Sequence, residues 1–239
     1  MNKPVLSRIA LYAFYVVSIT NLVTQVIHIE WLDMITKPML MIALLIFYHA
    51  SRREKVNKLS MLITGALAFS WLGDVLLMLQ SKIDSLFIFG LGAFLIAHIL
   101  YIFGYHFAKN PSRDQLYSSF IKTRIVFLLL IGGALIYMLY PALGDLRIPV
   151  IFYTMIIISM GISALLRRGR TIEKSFIMIY SGALLFIMSD AMLGMNKFLS
   201  PLVQARLLIM ATYIAAQFLI VKGILIHENS VVEGDTTAS

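Results

Sequence analysis

The sequence predicts an all-α membrane bundle of eight transmembrane helices, and three observations predict it. Of its 239 residues 60% are hydrophobic and only 13% charged, with a mean hydropathy of +0.87, a balance foreign to water-soluble domains. Eight apolar runs are each long enough to cross a hydrocarbon core about 30 Å thick. The basic residues gather in alternate connections between those runs, as in chains whose topology they orient.

The first run, 9–27, follows Lys3 and Arg8 as a secretion signal would, but it is long and lacks a small-x-small cleavage site, so it reads as a retained helix. Asn21 and Gln25 lie toward its outer end. The second, 33–50, opens on Lys37-Pro38, since proline is tolerated in a first helical turn. The third, 59–79, contains Asp74, with Ser70 one turn earlier on the same face. The fourth, 85–107, sets His98 and Tyr101 on one face at i, i+3. The fifth, 121–140, carries Gly132-Gly133, which suit close helix approach. The sixth, 148–166, holds no residue singled out for chemistry. The seventh, 174–194, contains Ser189-Asp190, and the eighth, 202–226, aligns Tyr213 and Gln217 at i, i+4. The polar segment 228–239 reads as a short disordered cytoplasmic tail behind a single transmembrane domain, 1–227.

The net charge of +8 would suggest nucleic acid in a soluble chain; here it reports topology, and no nucleic-acid partner is expected. With the N-terminus inside, fifteen of the 20 Lys and Arg are cytoplasmic, and only Lys37, Lys82, Arg147, Lys197 and Arg206 lie outside. Both termini are therefore expected in the cytoplasm. Short loops and a compact chain fit a bacterial inner membrane.

An internal repeat accompanies this topology. Arg52, Lys58 and Asp74 recur as Arg167, Lys174 and Asp190, at offsets of 115, 116 and 116 residues. That lag divides the chain into halves of about 1–110 and 111–227, four helices each, which makes the repeat parallel. Lys58 to Asp74 and Lys174 to Asp190 are both 16 residues, so each carboxylate lies roughly 24 Å from the cytoplasmic boundary at the helical rise. Facing across a bundle in low dielectric, the two carboxylates would share a proton.

Intramembrane carboxylates are functional candidates by default. Asp74 and Asp190 are the expected catalytic pair, with Lys37, Ser70, His98, Tyr101, Ser189, Tyr213, Gln217 and Asn21 converging on the same outward-lying pocket. The plainer readings stay open. The aspartates can be structural, neutralised by Lys37, Lys197 or Arg206, and the polar side chains can be interhelical hydrogen-bonding groups. The absence of cysteine excludes disulfides, thiol nucleophiles and Cys-ligated metal. No phosphate-binding loop, dinucleotide fingerprint or serine elbow is present. His49, His106 and His227 fall at predicted cytoplasmic helix ends, where three imidazoles can bind zinc or serve as interfacial residues; no metal and no cofactor is expected.

Five segments in this order carry a resemblance: Lys37-Pro38, Phe69-Ser70-x-x-Gly73-Asp74-x-x-Leu77, Gly90-x-x-x-Phe94-x-x-x-His98-x-x-Tyr101, Gly182-x-x-Leu185-Phe186-x-x-Ser189-Asp190-x-x-Leu193 and Tyr213-x-x-x-Gln217-x-Leu219-Ile220. Together, over about residues 37–223, they resemble the YhhN-like lysoplasmalogenase family of integral membrane proteins. The resemblance implies hydrolysis of the vinyl ether bond of a lysoplasmalogen, a lysophospholipid, to a fatty aldehyde and glycerophosphoethanolamine or glycerophosphocholine. It implies Asp74 and Asp190 as the pair, one protonated as general acid and the other stabilising the cation and taking a proton from water. The rival reading is a proton-coupled transporter, since parallel repeats with intramembrane carboxylates also describe carriers.

Overall fold

Hydrocarbon offers backbone N–H and C=O groups no partner, so a chain that crosses it must close its hydrogen bonds within each segment. Every apolar run of this sequence does so as an α-helix. The computed structural model describes residues 3–53, 56–80, 83–110 and 119–237. Its helices are α1 (Lys3–Ile27), α2 (Glu30–Ser51), α3 (Lys58–Leu79), α4 (Leu86–Phe107), α5 (Ser119–Leu139), α6 (Arg147–Leu165), α7 (Glu173–Phe198) and α8 (Ala205–Thr237), with two short 3₁₀ turns between α5 and α6. All eight are long and apolar enough to span a membrane. Lys55, Lys82 and Arg113, counted in the charge pattern, lie outside the described residues.

Local chemistry fixes several helix ends. Asn57 caps α3 through a reciprocal pair: its Oδ1 accepts from the Ser60 amide at 2.8 Å, and Ser60 Oγ accepts from the Asn57 amide at 3.0 Å. Two places depart from the sequence reading. Pro38 does not open the second helix: α2 begins at Glu30, so Pro38 sits inside it and withholds one amide hydrogen from the ladder. The charged residues Glu30 and Asp33 had cut the apolar run short. The segment from 228 is no loose tail at its start, because α8 continues through it and Glu228 is buried.

α3 packs along α4 and α7 along α8; α2 lies on α3 as α6 lies on α7, α4 crosses α6, and α8 closes against α1 and α2. α5 sits at the periphery on α6. The α7–α8 seam requires residues without a Cβ. A Cβ at Gly182 would stand 2.9 Å from the Ala216 carbonyl oxygen, and one at Gly223 3.1 Å from that of Ser175, both backbone atoms that cannot swing aside. Aromatic packing joins the ends of the chain, with Phe14 of α1 stacked on Phe218 of α8 at 5.6 Å between centroids.

Two buried arginines brace the end of the bundle opposite Asp33. Arg52 Nε donates to Glu228 Oε1 at 3.1 Å, and Tyr48 Oη donates to Glu228 Oε2 at 3.0 Å, fastening α2 to α8. Arg167 spends its donors on neutral acceptors, Ala108 O at 3.0 Å and Ser175 Oγ at 2.9 Å, and so ties α4 to the α6–α7 turn. Removing one member of a buried ion pair strands the other. Glu228→Gln is therefore expected to cost about 3 kcal/mol, read as a lowered unfolding midpoint in detergent, whereas replacing Arg52 and Glu228 together with apolar residues of similar size should recover most of the loss.

Candidate active site

Asp74 on α3 and Asp190 on α7 each collect donors from helices far away in sequence. Tyr213 of α8 donates from Oη to Asp74 Oδ2 at 2.7 Å. Behind it, Gln217 Nε2 donates to Tyr213 Oη at 3.4 Å, and Tyr101 of α4 donates to Gln217 Oε1 at 2.6 Å. The string runs one way, Tyr101 to Gln217 to Tyr213 to Asp74, and ends on a carboxylate that is 3% exposed. Lys37 makes no ion pair or hydrogen bond among the described residues, yet it lies near enough for its charge, like that of Asp190, to act on Asp74.

Asp190 has a different set. Tyr153 of α6 donates to Asp190 Oδ2, and His98 of α4 places Nε2 3.0 Å from Tyr153 Oη and 3.3 Å from Asp190 Oδ2. His98 is fully buried, and its Nδ1 has no partner. This triad fits two proton arrangements. With Asp190 ionised, Tyr153 donates to it and His98 Nε2 carries a hydrogen. With Asp190 protonated, the carboxyl donates to Tyr153, and Tyr153 donates to a bare Nε2. Moving one proton along Nε2, Oη and Oδ2 converts an imidazolium and carboxylate into an imidazole and carboxylic acid with no heavy atom displaced.

An aromatic wall joins the two sets. Phe186 meets His98 edge-on at 4.7 Å and Tyr213 at 5.5 Å, and Phe94 touches both of the same rings. Gly73, the residue before Asp74, makes room for Phe94: a Cβ there would come within 2.5 Å of the ring. Asp190 and Tyr153 face a narrow, largely apolar cavity of about 40 Å³, walled by Phe94, Leu135, Ile157 and Phe198 among others. A polar cavity of ≈ 250 Å³, lined by Asp33, Lys37, Asn196 and Arg206, adjoins it. Leu77 and Leu193 line both cavities. They stand three residues beyond Asp74 and Asp190 respectively.

The sequence of this site is not solitary. The YhhN family model matches residues 32–224. The chain belongs to the YhhN family. It is 31% identical over 191 residues to pig "Lysoplasmalogenase TMEM86B", covering 80% of this chain and 74% of that protein. It is 33% identical over 159 residues to the human protein of the same name, covering 66% and 61%, and 34% identical over 140 residues to the lysoplasmalogenase of Mycobacterium tuberculosis, covering 57% and 50%. No solved structure matches the chain.

For this YhhN-family chain, the structure gathers Asp74, Tyr101, Tyr213 and Gln217 into one string and Asp190 and His98 into the other. Lys37 stands beside the first. The other expected residues make no hydrogen bond to either carboxylate among the described residues. Ser189 Oγ donates to the Ile209 carbonyl at 3.0 Å, a helix-packing bond, and Ser70 Oγ is buried without a partner among the described residues. Asn21 is buried against α2, where it donates to Asp33 and Thr36. No hydrogen bond joins the two carboxylates among the described residues, so a proton passed directly between them is not what this geometry provides; each carboxylate has its own donors. The three histidines part company: His49 meets Thr64, His227 meets Thr171, and His106 packs on Phe107. Among the described residues no three His, Asp or Glu gather as a ligand set.

Tyr153 was missed from the sequence because an aromatic residue in an apolar helix reads as packing. A usable signal existed, since Tyr153 follows Lys37 by 116 residues, the repeat offset. The Tyr213–Asp74 bond is open to a double-mutant cycle. Tyr213→Phe should cost about 1–3 kcal/mol by leaving Oδ2 without its donor, and much less when Asp74 is already Asn, both read from unfolding in detergent.

Proposed function

We propose that this protein hydrolyses the vinyl ether bond of lysoplasmalogens within the membrane, releasing a fatty aldehyde and glycerophosphoethanolamine or glycerophosphocholine. The observation that carries the reading is the Asp190–Tyr153–His98 triad, a carboxyl able to gain and lose a proton at the wall of an apolar slot whose rim adjoins a polar cavity. A lysolipid with one chain divides its polarity in that way, with the enol ether next to the head. The names of the relatives support the same substrate. Their share of identity supports membership of the family more than the role of any one residue.

The chemistry follows from the two carboxylates. Protonated Asp190 gives its proton to the alkene carbon distal to the ether oxygen; the π pair forms the new C–H bond and leaves an oxocarbenium ion. Asp74 and the Asp190 carboxylate just formed stabilise that positive charge. Water adds to the cationic carbon, and its proton goes to a carboxylate. The resulting hemiacetal breaks its bond to the glycerol oxygen as that oxygen regains a proton, so one water is consumed for one aldehyde and one alcohol. His98 and Tyr153 return the proton to Asp190 for the next turnover. The slot opens wide enough for a chain only when its side chains part, and each methylene it then buries contributes about 0.8 kcal/mol.

The same reading places the protein in a cell membrane with both termini on the cytoplasmic side, so that Asp33 and Arg206 face outward. It also includes the parallel repeat. Its support is that α3 packs on α4 as α7 packs on α8, together with the exchange by which His98 of the first half bonds Asp190 and Tyr213 of the second bonds Asp74.

The first experiment is aldehyde release from a lysoplasmalogen by purified protein in detergent. Asp190→Asn and Asp74→Asn, each shown to be folded by gel filtration, should lose at least about 10²-fold. In D₂O the aldehyde should carry one deuterium on the carbon beside the carbonyl, the mark of protonation at carbon. Full activity in either Asn variant, or an aldehyde without that deuterium, would sink the mechanism; no aldehyde from the wild type, with flux driven by a pH gradient in vesicles, would favour a carrier.

A further inference from the structure

The polar cavity beyond Leu77 and Leu193 is built around Asp33, a carboxylate that forms no ion pair among the described residues. Asp33, near the start of α2, accepts at Oδ1 from two side chains of α1: Asn21 Nδ2 at 2.8 Å and Gln25 Nε2 at 2.6 Å. Both amides are buried, Asn21 at 0% and Gln25 at 6% exposure. Asn21 is held in turn, since its Nδ2 also donates to Thr36 Oγ1 at 2.9 Å. The carboxylate is thus fixed by neutral donors, and its Oδ2 has no hydrogen-bond partner among the described residues. Asn21 Oδ1, buried beside it, also lacks a donor. Acceptors here outnumber donors.

One turn further along α2 stands Lys37. Oppositely charged residues at i, i+4 on a helix ordinarily pair. Here they do not, because the α1 amides hold Asp33 and Lys37 is left without an ion pair. Arg206, exposed at the start of α8, lines the same cavity and two adjoining ones of ≈ 180 and ≈ 480 Å³, so the three form one vestibule. A negative and a positive site therefore lie side by side, unneutralised by each other, at the polar mouth of the apolar slot. A group that carries both charges matches them better than a group that carries one.

We propose that this vestibule selects a zwitterionic phospho-amine head group, with Asp33 receiving the ammonium and Lys37 with Arg206 receiving the phosphate. The inference rests on the lysolipid reading above and adds the residues that choose the head. Asn21 and Gln25 act through Asp33 as positioning residues. A head group bound there stands on the far side of Leu77 and Leu193 from the slot, which brings the first bonds of the chain to the level of the two aspartates.

Binding of unreactive saturated ether lysolipids to the full-length protein in detergent tests this without turnover. Three heads are compared on one chain: phosphoethanolamine, N-acetylated phosphoethanolamine and phosphoglycerol. The wild type should bind the first about ten-fold more tightly than either head lacking the ammonium, the scale of one charge-assisted contact. Asp33→Asn should erase that preference while leaving phosphoglycerol binding unchanged, and Lys37→Gln should weaken all three. Equal wild-type affinity for the three heads would overturn the proposal, and so would an Asp33→Asn variant weakened alike on all of them, which is the result of a merely structural carboxylate. The acetylated ligand decides the matter even if Asp33→Asn does not fold. Failure of the hydrolase reading is separate, since it appears as absent aldehyde with head-group preference intact.

Discussion

A carboxylate inside hydrocarbon depends on the protein for every hydrogen bond it makes. Asp74 and Asp190 meet that demand only by drawing on helices that lie 139 and 92 residues away, α8 for the first and α4 for the second. Side-chain bonds from α8 to α3, and from α4 and α6 to α7, thereby tie the bundle together through these two carboxylates. The glycines of the α7–α8 seam and Gly73 under Phe94 are consequences of this demand, because the donors reach the carboxylates only if the helices come close.

The two carboxylates are nonetheless unequal. Asp74 ends a string of three donors that point one way. Asp190 shares a phenol and an imidazole that can each pass a proton, and it faces the apolar slot. Two residues of one type are thus set in different hydrogen-bonding surroundings. Phe94 and Phe186 each touch both His98 and Tyr213, and so join the two sets.

Much of this was legible in the sequence. The eight runs, their order and the two acidic positions came from length, hydropathy and lone charges in apolar surroundings, the strongest signals a membrane chain carries. What was not legible has identifiable causes. Pro38 was read as a helix start because Glu30 and Asp33 interrupt the apolar run, although polar residues at a membrane surface extend a helix as readily as apolar ones. Glu228 was read as tail because a carboxylate near a terminus looks solvated until Arg52 is seen beside it. Ser189 was grouped with Asp190 by adjacency, yet neighbouring residues on a helix point in different directions, and its hydroxyl turns to Ile209. Tyr153 was invisible for the opposite reason, since nothing local marks a hydrogen-bonding tyrosine among packing ones.

The clasp between Arg52 and Glu228 also sets an order of events during synthesis. Arg52 leaves the ribosome 176 residues ahead of its partner. Throughout that interval the guanidinium must stay hydrated at the membrane surface, because entering the bundle unpaired costs several kcal/mol. The end of α2 therefore gains this partner only when α8 delivers the carboxylate.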